Sequence, residues 1–315
     1  MAEWDTLAIQ ERVLRDARVP RGSLYDTLDN LLPLLDQHLR TVIVPKLLDA
    51  GEDYLSATQT YAVTAGQGTY RLPTRSLRLL EVSLVGPDGR PRAYFSRATS
   101  TQVTKFRSYG RVRPTGPVEF WWFEASAVQV YPAPSTTDGS TLVLRYARRP
   151  SRLVSPVSCG VVTQTVPVVI PGNNRTRLYF EPMDSFGDPD GADMRLDLVK
   201  GTPGFEAIAD NQNGMLVQLT PAPGINVTVF DAYAELSTIE AGDYLCPVGT
   251  SPVPQVPLDY LTALEHSVVA QLLRANGDMD AAAAAEAALQ ATLVSAVSNF
   301  APRADEATTV VQQDW

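Results

Sequence analysis

The sequence predicts an α+β protein in which N- and C-terminal helices form one helical bundle, joined to a β-strand module and to an additional inserted β-domain. Three observations carry that expectation. Apolar residues recur at three- and four-residue steps over residues 24–43 and again over 258–273, the spacing of a one-sided helix. From about residue 54 the period falls to two, in short runs rich in aromatic and β-branched residues. After Pro150 strand-like runs continue, now separated by loops of Gly, Pro, Asn and Asp. With 315 residues, 44% of them hydrophobic, and with 24 prolines and 20 glycines, the chain can bury the core of one large or two modest domains and must make many turns.

Leu7, Ile9, Val13 and Leu14 give the first stretch helical spacing, closed by Pro20-Arg21-Gly22. Ser23 reads as the N-cap of a longer helix with Asp26 in its first turn. The apolar stripe of that helix is Leu24, Leu28, Leu31, Leu32, Leu35, Leu39, Val42 and Ile43, which reads as core packing. Pro33 and Pro45 each remove a backbone donor and crowd the preceding turn, so a kink or interruption is expected at both, and Gly51 should end the helix.

Residues 59–73 read as two short strands around Gly66-Gln67-Gly68, which is too sparse for a phosphate cradle and is followed by no helix. A third strand covers 76–85, and Gly86-Pro87-Asp88-Gly89 is a tight turn. Strands follow at 118–124, 127–132 and 140–148, with a short helix at 99–110. Alternating runs at 161–170, 175–181, 215–219 and 225–236 predict a separate small β-domain. Its loop 184–197 is the most acidic cluster in the chain. Asp184, Asp188, Asp190 and Asp193 offer oxygen ligands for calcium, but their spacing does not fit an EF-hand loop, and a solvated acidic turn is the preferred reading.

Helical period returns at Leu258, Leu261, Leu264, Val268, Leu272 and Leu273, and stops at Asn276-Gly277-Asp278. The alanine-rich run 281–297 then predicts the second arm of an αα-hairpin. Residues 302–315 have no helix pattern and read as a tail or an arm that orders on a partner. The division expected is thus 1–152 with 251–300 as one core, 153–250 as the inserted β-rich domain, and 301–315 as an extended arm. The helical pieces can complete one bundle only if the insertion leaves and returns at nearly the same place.

Charge is segregated. Residues 1–70 carry 6 Lys+Arg against 10 Asp+Glu, 71–152 carry 14 against 5, and 153–315 carry 6 against 20, for a net charge of −9. An acidic chain of this kind is not a dedicated nucleic-acid binder, whereas opposed surfaces suit contacts between neighbouring subunits. The start of the chain lacks an apolar signal core, and no uninterrupted apolar stretch reaches bilayer length, which points to a soluble chain made in a reducing cytosol. Cys159 and Cys246, 87 residues apart, predict neither a disulfide scaffold nor a cysteine zinc site. His38 and His266 both fall on helices and read as helix-face polar residues. No G-x-S-x-G, H-E-x-x-H, Walker A or G-x-G-x-x-G motif is present, and the many carboxylates of 181–210 single out no pair. The expectation is a non-enzyme with no cofactor and no metal.

Three segments, 60–86, 119–153 and 254–289, together resemble the head-to-tail adaptor (connector, or neck) proteins of tailed bacteriophages. The resemblance rests on Tyr70-Arg71-Leu72-Pro73, on Tyr131-Pro132-Ala133-Pro134 before the strand Thr141-Leu142-Val143-Leu144-Arg145-Tyr146, and on Pro257-Leu258-Asp259 opening a helix that ends at Gly277-Asp278. It implies a structural virion protein, assembled in the host cytoplasm and located in the neck between head and tail. It implies a homo-oligomeric ring, typically of twelve copies, below the portal protein. The next neck or tail protein (stopper, terminator or tail tube) would lie beneath, and genomic DNA would pass through the lumen without sequence-specific binding or membrane contact. An acidic lumen would keep DNA from adhering during ejection. Within that reading Val310, Val311 and Trp315 are the candidate portal-binding anchors. Ala281, Ala284, Ala288 and Leu289 are the candidates for close subunit packing. The competing expectations are a tail accessory or receptor-binding subunit whose β-domain binds carbohydrate, and a carboxylate-based hydrolase. The family supplies no role for 154–250.

Overall fold

Asp5 starts the first helix, α1 (Thr6–Asp16), by accepting a hydrogen bond from the Ala8 N–H at 2.9 Å, an N-cap the apolar pattern did not signal. Ile9 and Val13 form its buried face. The computed structural model describes residues 3–50, 54–73, 75–108, 115–170, 173–180, 193–203, 207–209, 215–222, 225–231 and 239–300. Ser23 is not the next N-cap. Residues 23–26 are turns, in which Asp26 accepts from the Gly22 N–H at 2.7 Å, and α2 (Leu28–His38) begins after Thr27. Leu24 therefore falls outside the buried stripe and is 68% exposed. Pro33 is accommodated inside α2, and a π-helical turn (Leu39–Ile43) precedes α3 (Val44–Ala50). Pro45 lies just after the π turn, through which residues 38–44 keep helical dihedrals, so the hydrogen-bond pattern shifts there without ending the helix. The expected interruption is the π turn before it.

The strand module holds β1 (Ser56–Ala62), β2 (Thr69–Arg71), β3 (Ser76–Val85), β4 (Pro91–Tyr94), β5 (Ser96–Arg97), α4 (Ser100–Ser108), β6 (Phe120–Glu124), β7 (Ala127–Tyr131) and β8 (Thr141–Arg148). They form two four-stranded sheets, β1-β8-β3-β4 and β2-β7-β6-β5. Both sheets contribute to one core, with Leu79, Val82, Leu142 and Leu144 from the first and Tyr70, Trp121, Val128 and Val130 from the second. The tight turn at 86–89 closes with the Gly89 N–H donating to the Gly86 carbonyl at 2.9 Å.

Beyond Arg149 the chain passes through β9 (Arg152–Leu153) and enters a seven-stranded sheet. Its strands are β10 (Gly160–Ile170), β11 (Asn173–Phe180), β12 (Asp193–Val199), β13 (Ala207–Ala209), β14 (Met215–Ala222), β15 (Ile225–Asp231) and β16 (Tyr244–Pro247). β12 pairs with both β14 and β16, so β12-β14-β15-β11-β10-β16 closes on itself as a small antiparallel barrel with β13 appended. The closing contacts are short, since β10 meets β16 only through Gly160 and Val161. Asp193 lies at the start of β12 rather than in the acidic loop, because Met194-Arg195-Leu196-Asp197-Leu198 alternates with period two; Asp184, Asp188 and Asp190 lie outside the described residues. The chain returns through β17 (Thr250–Ser251), which pairs in parallel with β9, so the chain enters and leaves the barrel side by side.

α5 (Leu258–Ala275) and α6 (Met279–Phe300) complete the chain. Gly277 takes φ +84° between them, and the Asp278 carboxylate caps α6 by accepting from the Ala281 N–H at 3.1 Å. α5 packs on α1, α2 and α6. By contacts the chain divides into residues 1–51 with 150–315, and residues 52–149. The barrel groups with the helices because Trp4 packs on the cluster of Cys159, Val199, Tyr244, Cys246 and Val253, and the Thr6 hydroxyl donates to the Val154 carbonyl at 2.8 Å.

Candidate interaction surfaces

α6 presents two very different faces. Ala282, Leu289, Leu293 and Ala296 form a narrow buried seam. Ala283, Ala284, Ala287, Gln290, Ala291, Val294, Ser295 and Ser298 are exposed, and none of them is charged. Of the four residues expected to pack subunits, Ala284 is exposed, Ala281 and Ala288 are half-buried, and Leu289, 8% exposed, faces its own chain. Val310, Val311 and Trp315 lie outside the described residues. Met279–Ser298 is long and apolar enough to cross a membrane by length and composition, although Asp280 and Glu286 interrupt it, as the expectation of no uninterrupted apolar stretch of bilayer length requires. Its hydropathy comes largely from alanine rather than from leucine or isoleucine.

A second surface, missed in the sequence, is a groove of about 600 Å³ between α2 and the segment after β9, lined by Asp29, Leu32, Asp36, Arg40, Arg152 and Ser158 among others. Asp36 fixes its floor, bonding to Arg40 at 3.0 Å and accepting from the Leu153 N–H at 3.2 Å. The i,i+4 spacing of Asp36 and Arg40 was the available signal, but one such pair marks a helix face and not a groove.

The groups with chemical potential are engaged structurally. His38 Nδ1 lies 3.0 Å from the Ser267 hydroxyl, and Nε2 meets Gln271, so the ring joins α2 to α5. Ser267 is buried and its hydroxyl donates to the Leu264 carbonyl at 2.8 Å, which occupies the proton a nucleophile would have to give up. His266 is half-buried on α5. The cysteines, far apart in sequence, are neighbours: the β10–β16 register pairs Gly160 with Leu245, which sets Cys159 opposite Cys246. Both thiols are free and buried, and burial together with the adjacent Cys159 pushes the Cys246 thiol well above its ordinary range, away from reactivity. Among the described residues no group of three or more metal-ligating side chains converges.

No curated protein matches the chain. A family model described as "SU10 adaptor protein" matches residues 6–195, more than half of the chain. The matched region runs past β9 into β12 and stops before α5, so it takes in the first strands of the barrel and leaves out the helices 254–300 that carried part of the resemblance. With more than half its length matched, the chain belongs to the SU10 adaptor protein family, structural head-to-tail adaptors of bacteriophage virions.

Proposed function

We propose that the protein assembles as a ring below the portal, typically of twelve copies, joins the capsid to the tail, and surrounds the channel through which genomic DNA leaves. The observation that supports this reading, beside family membership, is the uncharged outer face of α6. Its exposed stretch 283–298 is about 24 Å long at 1.5 Å per residue, and alanine side chains let a second helix approach closely. In this reading the helices of both chain ends act as one bundle and form the wedge that meets the next copy. The 153–250 region is an added domain displayed from the paired β9 and β17. The acidic balance of 153–315 against the basic 71–152 supplies complementary surfaces between components.

The test is assembly on purified portal. The full chain, mixed with portal rings and sized by sedimentation or imaged by electron microscopy, should add as a ring. High salt should weaken the contact, because exposed charge pairs are screened. A stable trimer that ignores portal would sink the reading.

A further inference from the structure

We propose that the strand module carries an acceptor groove for an extended chain, and that its occupant is segment 304–315 of a second copy. The groove, about 450 Å³, is lined by Leu77, Arg78, Leu80, Arg97, Trp121 and Phe123, among others. Its first wall is β3. β4 pairs with β3 only from Ser83 to Val85, so among the described residues no strand covers that edge of β3 over 76–81. The β3–β8 ladder also slips between Ser76 and Arg78 and between Leu79 and Glu81. Leu77 and Leu80 are thus the extra residues of two bulges, and a bulge turns its extra side chain out of the regular alternation. Both line the groove. The second wall is aromatic. The Trp121 indole is fixed by donating to the Phe95 carbonyl at 3.1 Å, Phe123 meets it edge-on at 5.4 Å, and the Arg97 guanidinium lies 5.8 Å from each ring centre. Leu77 and Phe123, on opposite walls, are 39% and 38% exposed.

An uncovered strand edge offers main-chain donors and acceptors to an extended segment, and flanking apolar pockets take its alternate side chains. The open stretch 77–81 accommodates a strand of about 17 Å. Arg97, lying over the Trp121 and Phe123 rings, offers the groove a cationic group that suits an acidic occupant. Segment 304–315, ADEATTVVQQDW, contains Asp305, Glu306 and Asp314 and no basic residue, around Thr308-Thr309-Val310-Val311, the residue types most at home in strands. The eight residues from the end of α6 to Thr308 reach up to about 28 Å. One donor and one acceptor per chain is the arrangement that closes a ring. The choice of a second copy as donor rests on the ring reading. The groove itself does not.

The test is site-directed crosslinking in the full chain under mild oxidation, with the native cysteines left in place because both are buried. A Leu77→Cys chain mixed with a Val310→Cys chain should give a covalent heterodimer, and the double variant a ladder of multimers. Arg97→Glu should cut the yield about tenfold, the equivalent of roughly 1.4 kcal/mol, and Asp305→Arg with Glu306→Arg should restore it. Hydrogen exchange at 77–81 should slow on association in the unmodified protein. A crosslink within one chain would show fold-back and overturn the proposal. Crosslinking of the Val310→Cys chain to portal alone would assign the arm to portal and overturn it equally. If rings assemble on portal with no crosslink and no protection at 77–81, the groove fails while the adaptor reading stands. If the crosslink forms but portal is ignored, the reverse holds.

Discussion

α5 and α6 are the two arms of one hairpin, both apolar, yet their own chain treats them differently. α5 buries Tyr260, Leu261, Leu264, Val268, Leu272 and Leu273 together with four smaller residues, because α1 and α2 cover one side and α6 the other. α6 is covered along a seam of Ala282, Leu289, Leu293 and Ala296, is half-buried beside it, and is open on its outer face. Composition follows that division. α5 fills space with leucine and valine, whereas α6 uses alanine, which holds a helix together at low cost and leaves little apolar area per residue in water. The first helix is built to stabilise the subunit. The second keeps an uncharged outer face that presents little apolar area per residue to water.

The largest effect should come from the covered helix. Leu264→Ala deletes a fully buried side chain of α5 and should cost about 2–5 kcal/mol in urea unfolding. The same truncation on the open face, Val294→Ala, where the side chain is 69% exposed, should fall within about 0.5 kcal/mol. Equal losses at the two sites would break the comparison.

Much of this contrast was legible beforehand, and the reasons for success and failure differ by element. The stripe of α5, the alanine run of α6, the hairpin turn at Gly277, and strands β3, β6, β7 and β8 all follow from local period and turn chemistry, which are properties of the residues themselves. The barrel closure was not legible, because it depends on β12 finding two partners far away in sequence. Nor was the meeting of Cys159 and Cys246, which is set by the β10–β16 register. Ser23 looked like a cap because Leu24 looked like part of the stripe, but the helix starts four residues after Leu24 and leaves that leucine in water. The β3 groove was hidden for a different reason. An open edge is defined by where β4 stops, so nothing in Leu77 or Leu80 announces it.

Intermediate effects should come from the turn that separates the two helices. Gly277 holds φ +84°, and Gly277→Ala should cost about 1–2 kcal/mol of thermal or urea stability, because a Cβ is strained in the left-handed region. Asp278→Ala removes the cap on α6 and should cost about 1 kcal/mol. If the hairpin owes its geometry to α5–α6 packing alone, both losses will vanish, and the open face of α6 would then be held by its seam and not by the turn.

The smallest change in stability is expected where the consequence for assembly is greatest. Ala287→Glu places a charge in the middle of the uncharged face, at an exposed position flanked one turn away by Ala283, Ala284 and Ala291. In the isolated subunit the glutamate is solvated, and glutamate is itself a good helix former, so unfolding should shift by no more than about 0.5 kcal/mol. In a close helix–helix contact the same carboxylate would lose water without gaining a partner, which is far more costly than the loss of any methyl group there. Sedimentation of the variant with portal should therefore show folded but unassembled protein. Assembly at the level of the unmodified chain would mean that the bare face of α6 is only surface, and that the difference between the two helices reflects how little of α6 the subunit needs to cover.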